Sequence, residues 1–234
     1  MTTEYKNLIG GEMIATNEWM DVVNPANEEV IGKVPSCQEE QLNQAVAAAR
    51  SAFKTWSKTT IDERRVVLNA IADAIEANHG ELFRLLTKEQ GKPHAQAEME
   101  IGGAPANIRA QASLEFQDVI NEDSQERLSR TRRVPVGVVG GIVPWNFPVL
   151  MAVQKIAPAL LSGCTIVLKP SPFTPLTTLK IAELIADQVP AGALNIITGE
   201  DSLGPMITAH KDIDKVPFTG STATGKKIME GASK

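Results

Sequence analysis

The chain has 234 residues, 43% of them hydrophobic, with 23 basic against 28 acidic side chains and a net charge of −5. That much apolar material makes one large domain or two small ones and excludes a disordered chain. The acidic balance excludes nucleic acid or an anionic membrane surface as the main partner.

The first 36 residues read as short strands and turns, with Gly10-Gly11 as a hairpin signal and NPAN at 24–27 as another turn. The opening MTTEYKNLIGGEM lacks the basic region and apolar run of a signal peptide. Cys37 and Cys164 have no CxxC spacing, so they offer neither a disulfide framework nor a zinc site, and a reducing cytoplasmic setting is expected. From residue 39 the period becomes helical: Leu42, Val46, Ala49 and Phe53 recur on one face. At least one more helix follows in ERRVVLNAIADAIEANHGELFRLLTKEQGKP, closed by Gly91 and Pro93, and another runs to about Val119. His94 and Glu98 share a helix face, but His79 and His210 fall in other segments, so no metal site is expected. Arg127, Arg130, Arg132 and Arg133 cluster in RLSRTRR; without interleaved aromatic residues they read as a solvated face of an extended ribbon.

Residues 134–153 carry no charge and are long enough to span a bilayer, yet they hold Pro135, Pro144 and Pro148 with three glycines. A strand, a turn and the start of a buried helix fit that punctuation, so no membrane span is expected. From here the chain alternates: VGVVGGIV, CTIVLKP, ALNIITG and DKVPFTG are short apolar strands, followed by helices expected at 148–161, 176–188, 202–210 and 222–232. Such alternation builds right-handed crossovers and a parallel sheet buried on both faces, with ligands at the carboxyl ends of the strands. Asn146, Lys169, Gly199 and the run Thr219, Gly220, Ser221 all fall at that rim. Cys164 falls at the opposite edge and reads as core filler.

KVPFTGSTATGKKI at 215–228 tests the phosphate-loop pattern. Gly220, Gly225 and Lys226 match, but the hydroxyl residue that would meet magnesium is replaced by Lys227. Either the loop is a defective nucleoside-triphosphatase motif, or another fold sets a helix N-terminus where a phosphate sits.

PWNFP (144–148), LKPS (168–171) and FTGST (218–222), in this order and spacing, resemble the aldehyde dehydrogenase superfamily, and the resemblance extends over essentially the whole chain. It implies an α/β, Rossmann-like parallel sheet with flanking helices, truncated before the catalytic domain. The corresponding segments are 1–119, strands and helices of the cofactor-binding domain; 120–135, an extended oligomerisation ribbon; and 136–234, the βα units of that domain. The implied function is NAD- or NADP-dependent oxidation of a small-molecule aldehyde to a carboxylic acid through a cysteine thioester, by a homo-oligomer. Under the resemblance, Ile142, Val143, Pro144 and Trp145 wall the nicotinamide half and its ribose, and Lys169 hydrogen-bonds the adenosine ribose. Ser171, Gly204, Phe218, Thr219, Gly220, Ser221 and Thr224 belong to the cofactor site, with the pyrophosphate at the helix N-terminus behind Gly220-Ser221. Asn146 is the implied oxyanion donor, a role worth roughly 2.7–4 kcal/mol for single donors of this kind; its competing role is to cap the next helix.

Two departures qualify the match. Pro172 stands where many NAD-using members have a glutamate that repels a 2′-phosphate, which leaves NAD and NADP both open. The motifs for the nucleophilic cysteine and the general-base glutamate would follow the final GASK, and neither Cys37 nor Cys164 can stand in. The chain by itself is therefore expected to be inactive, the alternative being a non-catalytic nucleotide-binding or oligomerising remnant.

Overall fold

A computed structural model describes residues 2–233; Met1 and Lys234, the outer bounds of the first and last segments, lie outside the described residues. Five short strands open the chain: β1 (Thr3–Glu4), β2 (Asn7–Ile9), β3 (Glu12–Ile14), β4 (Trp19–Val23) and β5 (Val30–Pro35). Gly10 and Gly11, at φ 63° and 89°, make the two-residue turn between antiparallel β2 and β3. Positive φ at both positions is what a tight hairpin asks for, and glycine adopts it without penalty.

Four helices follow: α1 (Glu39–Trp56), α2 (Ile61–Ala77), α3 (His79–Gln90) and α4 (His94–Ala112). Thr60 and Glu63 form a reciprocal cap at the start of α2. Gly91 ends α3 in the left-handed conformation at φ 84°. The sequence carried the next helix to about Val119, but α4 stops at Ala112. Arg65 takes the carbonyls of Ala112 and Leu114 there, at 2.8 and 3.2 Å, and the residues beyond are exposed, with no buried face to hold another turn. Val119 instead opens an antiparallel ribbon, β6 (Val119–Asp123) and β7 (Leu128–Thr131). On it Arg127 pairs with Glu122 and Arg130 with Asp118, so the arginine cluster is partly neutralised on the ribbon itself.

The remainder is β8 (Val138–Ile142), α5 (Pro148–Leu161), β9 (Thr165–Lys169), α6 (Leu176–Ile185), β10 (Leu194–Ile196), α7 (Leu203–Thr208) and α8 (Thr222–Ala232). The expected fourth parallel strand is reduced to two isolated bridges, Val139 with Lys215 and Ile142 with Phe218. Pro217 has no N–H to give to a ladder, which limits its pairing. Nor is the sheet purely parallel. Its order is β3-β2-β10-β9-β8, with the β2–β3 hairpin joining β10 antiparallel at Leu8 and Ile196. Strands β1, β5 and β4 form a separate three-stranded sheet.

The main sheet lies between two helical layers. On one side Ile166, Leu168, Leu194 and Ile196 join the core of α2 to α6. On the other, Val138, Val167 and Ile197 meet α1 and α7 through Leu42, Val46, Leu203 and Ile207. Alternate residues of β9 serve opposite faces, as a strand covered on both sides requires.

Arg64 ties these layers together. Its buried guanidinium donates to the carbonyls of Ser57, Thr59 and Leu161 at 3.0, 2.8 and 3.2 Å, and its Nε to Thr59 Oγ1 at 2.9 Å. Gly163, at φ 82°, makes room for it: a Cβ there would stand 2.6 Å from the guanidinium. Gly163→Ala is expected to cost roughly 2–4 kcal/mol, the range for combined backbone strain and a disrupted buried hydrogen-bond network. Urea unfolding measures it, and a midpoint unchanged from the unsubstituted chain would contradict the assignment.

Candidate functional site

Numbered in chain order, β8, β9, β10 and the 215–218 segment lie across the sheet as 3-2-1-4. The order reverses between β8 and 215–218, and a parallel sheet opens a crevice at the carboxyl ends beside such a reversal. Ile142 is in register with Lys169 on one side and bridged to Phe218 on the other. The turns bearing Asn146, Lys169 and Gly220 thus leave the sheet from one row.

A cleft of about 860 Å³ lies along this row, lined among others by Ile142, Lys169, Gly204, Thr224, Asp201 and Lys227. It gathers four of the expected cofactor residues. Phe218, Thr219, Gly220 and Ser221 form the connection from the bridged row into α8, next to it. Val143 is buried in the core, and the buried hydroxyl of Ser171 accepts the Phe173 N–H at 3.3 Å. Trp145 is exposed beyond Pro144. Asp201 carried no sequence signal, and Lys227 entered only as a mismatch to the phosphate-loop pattern; the fold brings α7 and α8 against the row.

Lys169 is buried, and among the described residues its Nζ makes one hydrogen bond, 3.3 Å to the carbonyl of Pro170. Burial lowers its pKa to about 8, with Asp201 and Glu200 opposing the shift. An ammonium with three donors and one weak acceptor has capacity left for a ligand.

The glycine turn is held from two sides. Lys155, buried on α5, donates to Thr219 Oγ1 at 2.8 Å. The ring of Phe218 folds over Gly220, where a Cβ would come within 2.4 Å of it. Glycine at 220 is thus required for the packing of this ring. Ser221 caps α8, accepting the Thr224 N–H at 3.2 Å, which leaves the N–H groups of Thr222 and Ala223 open at an exposed helix end.

The other two long helices starting at this rim are closed by carboxylates. Glu89, at the end of α3, accepts the N–H groups of Leu176 and Thr177 at 2.6 and 3.0 Å. Glu100, on α4, accepts those of Val149 and Leu150 at 2.9 and 3.1 Å. Neither α5 nor α6 has a side-chain cap of its own. Of these three long helices, α8 alone among the described residues offers first-turn N–H groups without a protein acceptor, which is where an anion would sit.

Neither thiol reaches the cleft. Cys37 is buried, hydrogen-bonded by Asn7 Nδ2 at 2.8 Å, and burial pushes its pKa up to about 12. Cys164 precedes β9 at the amino end of the sheet and is buried. Among the described residues there is no cluster of three metal-ligating side chains; His79 and His94 instead flank the Phe83 ring, with centroids 5.5 and 5.6 Å away. No helix is long and apolar enough to cross a membrane among the described residues.

The chain matches the model of the aldehyde dehydrogenase family over residues 13–234. It is 42% identical over 227 residues to a probable aldehyde dehydrogenase of a Pseudomonas species, covering 96% of this chain and 46% of that protein. Among solved structures it is similar to the NAD+ complex of an aldehyde dehydrogenase from Bacillus cereus, with a TM-score of 0.93, 41% identity and coverage of 98% and 49% of the two chains. An NADP-dependent enzyme of E. coli gives a TM-score of 0.95 at 36% identity, over 99% and 50%. The chain thus spans about half the length of the relatives it matches.

Burial raises the Glu89 pKa to about 7, from an ordinary value of 4.5, outweighing the two N–H bonds that favour its charge. The folded chain then holds this proton more tightly than the unfolded one. The stability it contributes is fully present below pH 4.5 and lost as pH rises through about 7. The difference in unfolding midpoint between the unsubstituted chain and Glu89→Gln is expected to change across that window and stay level outside it; a difference constant with pH would contradict the shift.

Proposed function

The chain belongs to the aldehyde dehydrogenase family, and we propose that its cleft holds the NAD or NADP of an aldehyde-oxidising enzyme. One observation carries the reading: Phe218, Ile142 and Lys169 form a single row at the point where strand order reverses, beside the one long helix of the rim whose first N–H groups have no acceptor among the described residues. The residues fit a dinucleotide. The α8 N-terminus meets the pyrophosphate, and the spare donors of Lys169 meet the adenosine ribose or, with Pro172 in place of an acidic residue, a 2′-phosphate. Ile142, Pro144 and Trp145 border the nicotinamide half. A bound nicotinamide supplies the hydride acceptor for aldehyde oxidation.

Asn146 is then the oxyanion donor. Its Oδ1 accepts the N–H of Phe147 at 3.1 Å, and its Nδ2 makes no hydrogen bond to the described residues. An amide fixed through its oxygen presents its N–H groups outward, which is what a developing oxyanion requires. The two thiols are buried away from this turn, so the 234-residue chain is expected to bind the cofactor without turning over an aldehyde.

Calorimetry with NAD, NADP and ADP-ribose tests the binding. ADP-ribose is expected to bind, Lys169→Met to weaken it roughly tenfold through loss of a charge-assisted contact, and affinity to fall as pH rises through about 8, where Lys169 loses its proton. Absence of binding by all three ligands would overturn the reading. NADH production from an aldehyde by the purified chain would overturn the exclusion of its thiols.

The ribbon favours a second, compatible role in self-association. Ile120 and Leu128 on it, and Val134 and Val136 on the stretch that follows, are each more than half exposed, from 55% to 70%. A ribbon that shows this much apolar surface is a docking element for another copy. Sizing chromatography is expected to show an oligomer that Ile120→Glu with Leu128→Glu dissociates; a monomer before substitution removes this role.

A further inference from the structure

We propose that Lys92 and Glu100 are positioning residues for Asn146: together they cap α5 in its place and pin its backbone, so that its side-chain amide is left to face the reaction. The catalytic meaning of this clamp rests on the reading of Asn146 above; the clamp itself rests on contacts.

Asparagine is among the strongest helix caps, and Asn146 stands two residues before α5 in a chain that offers Phe147 and Pro148 at the helix start. Left alone, such a turn would use the asparagine oxygen on the N–H groups of the first turn. Those groups are already taken. Glu100 Oε1 accepts both Val149 and Leu150, and its side chain is fully buried. The carboxylate reaches them from α4, which packs along α5 and puts Ile101 and Ala104 into the same core.

A buried carboxylate needs a counter-charge. Lys92 supplies it through Glu100 Oε2, with its side chain only 5% exposed. The same ammonium donates to the backbone carbonyl of Asn146 at 2.8 Å and lies 4.3 Å from the centre of the Phe147 ring. Three contacts from one Nζ therefore fix the helix cap, the carbonyl of the catalytic turn and the aromatic residue after it. Lys92 can reach all three because Gly91 turns the chain sharply out of α3 at φ 84° and Pro93 restarts it in α4. The clamp and the turn it holds are 54 residues apart in sequence.

Lysine at this place does what a neutral residue cannot. Methionine would fill the space but leave the Glu100 charge unpaired and the Asn146 carbonyl without a donor. Arginine keeps the charge and can restore both contacts.

The test uses the folded 234-residue chain, isotopically labelled, with the Asn146 side-chain amide assigned by its loss in Asn146→Asp. Lys92→Met and Glu100→Gln are expected to displace the Asn146 side-chain resonances. They should also speed hydrogen exchange of the Val149 and Leu150 amides roughly tenfold, the scale of a lost helix cap. The Ile108 amide, deep in α4, keeps its protection, and Lys92→Arg restores the Asn146 resonances. Unmoved Asn146 resonances in Lys92→Met, or protection lost evenly along α4 and α5, would overturn the clamp and leave the pair a core ion pair. Dinucleotide titration of the unsubstituted chain is read separately: no binding there ends the cofactor reading while the exchange pattern still decides the clamp.

Discussion

The structure depends on how it disposes of the orphan donors at its helix N-termini. Every helix begins with N–H groups that have no internal partner, and where helices meet a sheet rim those groups attract whatever negative charge is near. Here two of the three long helices at the rim receive protein carboxylates. Glu89 closes α6 and Glu100 closes α5, both from the outer pair α3 and α4. Only α8 is closed by its own serine, and that cap leaves its first two donors exposed. The outer helices are therefore part of the site's electrostatics, since they decide which of several similar helix ends remains available to an anion.

That selection works because the strand order concentrates the rim. With β8 between β9 and the 215–218 segment, the row Phe218, Ile142, Lys169 brings three turns together that lie up to about 75 residues apart in sequence, close enough to serve one extended ligand. Lys155 adds a tie across the same region, from the body of α5 to Thr219. A displacement of α5 is thus transmitted both to the asparagine turn at its start and to the glycine turn beside its middle.

Much of this was legible in the residues. The periods of 39–56 and 148–161 gave helices with the observed bounds, and Gly10-Gly11 marked its hairpin, because local propensity and burial agree there. The end of α4 was not legible: Arg65, far back in the chain, takes its last carbonyls. The fourth strand was overread because apolar content in DKVPFTG says nothing of whether Pro217 can join a ladder. Within the site, the motif residues stood out by pattern, whereas Glu89, Glu100 and Lys155 look like ordinary helix-surface charges, and Lys92 like a turn residue, until packing buries them. A GKP sequence after a helix reads as punctuation, and nothing local reveals that its lysine points at a turn 54 residues later.

The placement of the thiols follows from the same geometry and bears on any chemistry at Asn146. Cys164 enters β9 at the amino end, and a five-residue strand separates the two edges of a sheet by about 16 Å at the usual rise per residue. Reaching the asparagine turn would require that strand to leave a core in which all five of its residues are buried. Cys37 is fixed by its own N–H to the Thr198 carbonyl at 3.0 Å as well as by Asn7 on its sulfur. A thiol whose pKa burial raises to about 12 is a poor nucleophile near neutral pH. Neither thiol therefore lies at the turn that bears Asn146, whose neighbours Trp145 and Phe147 are exposed.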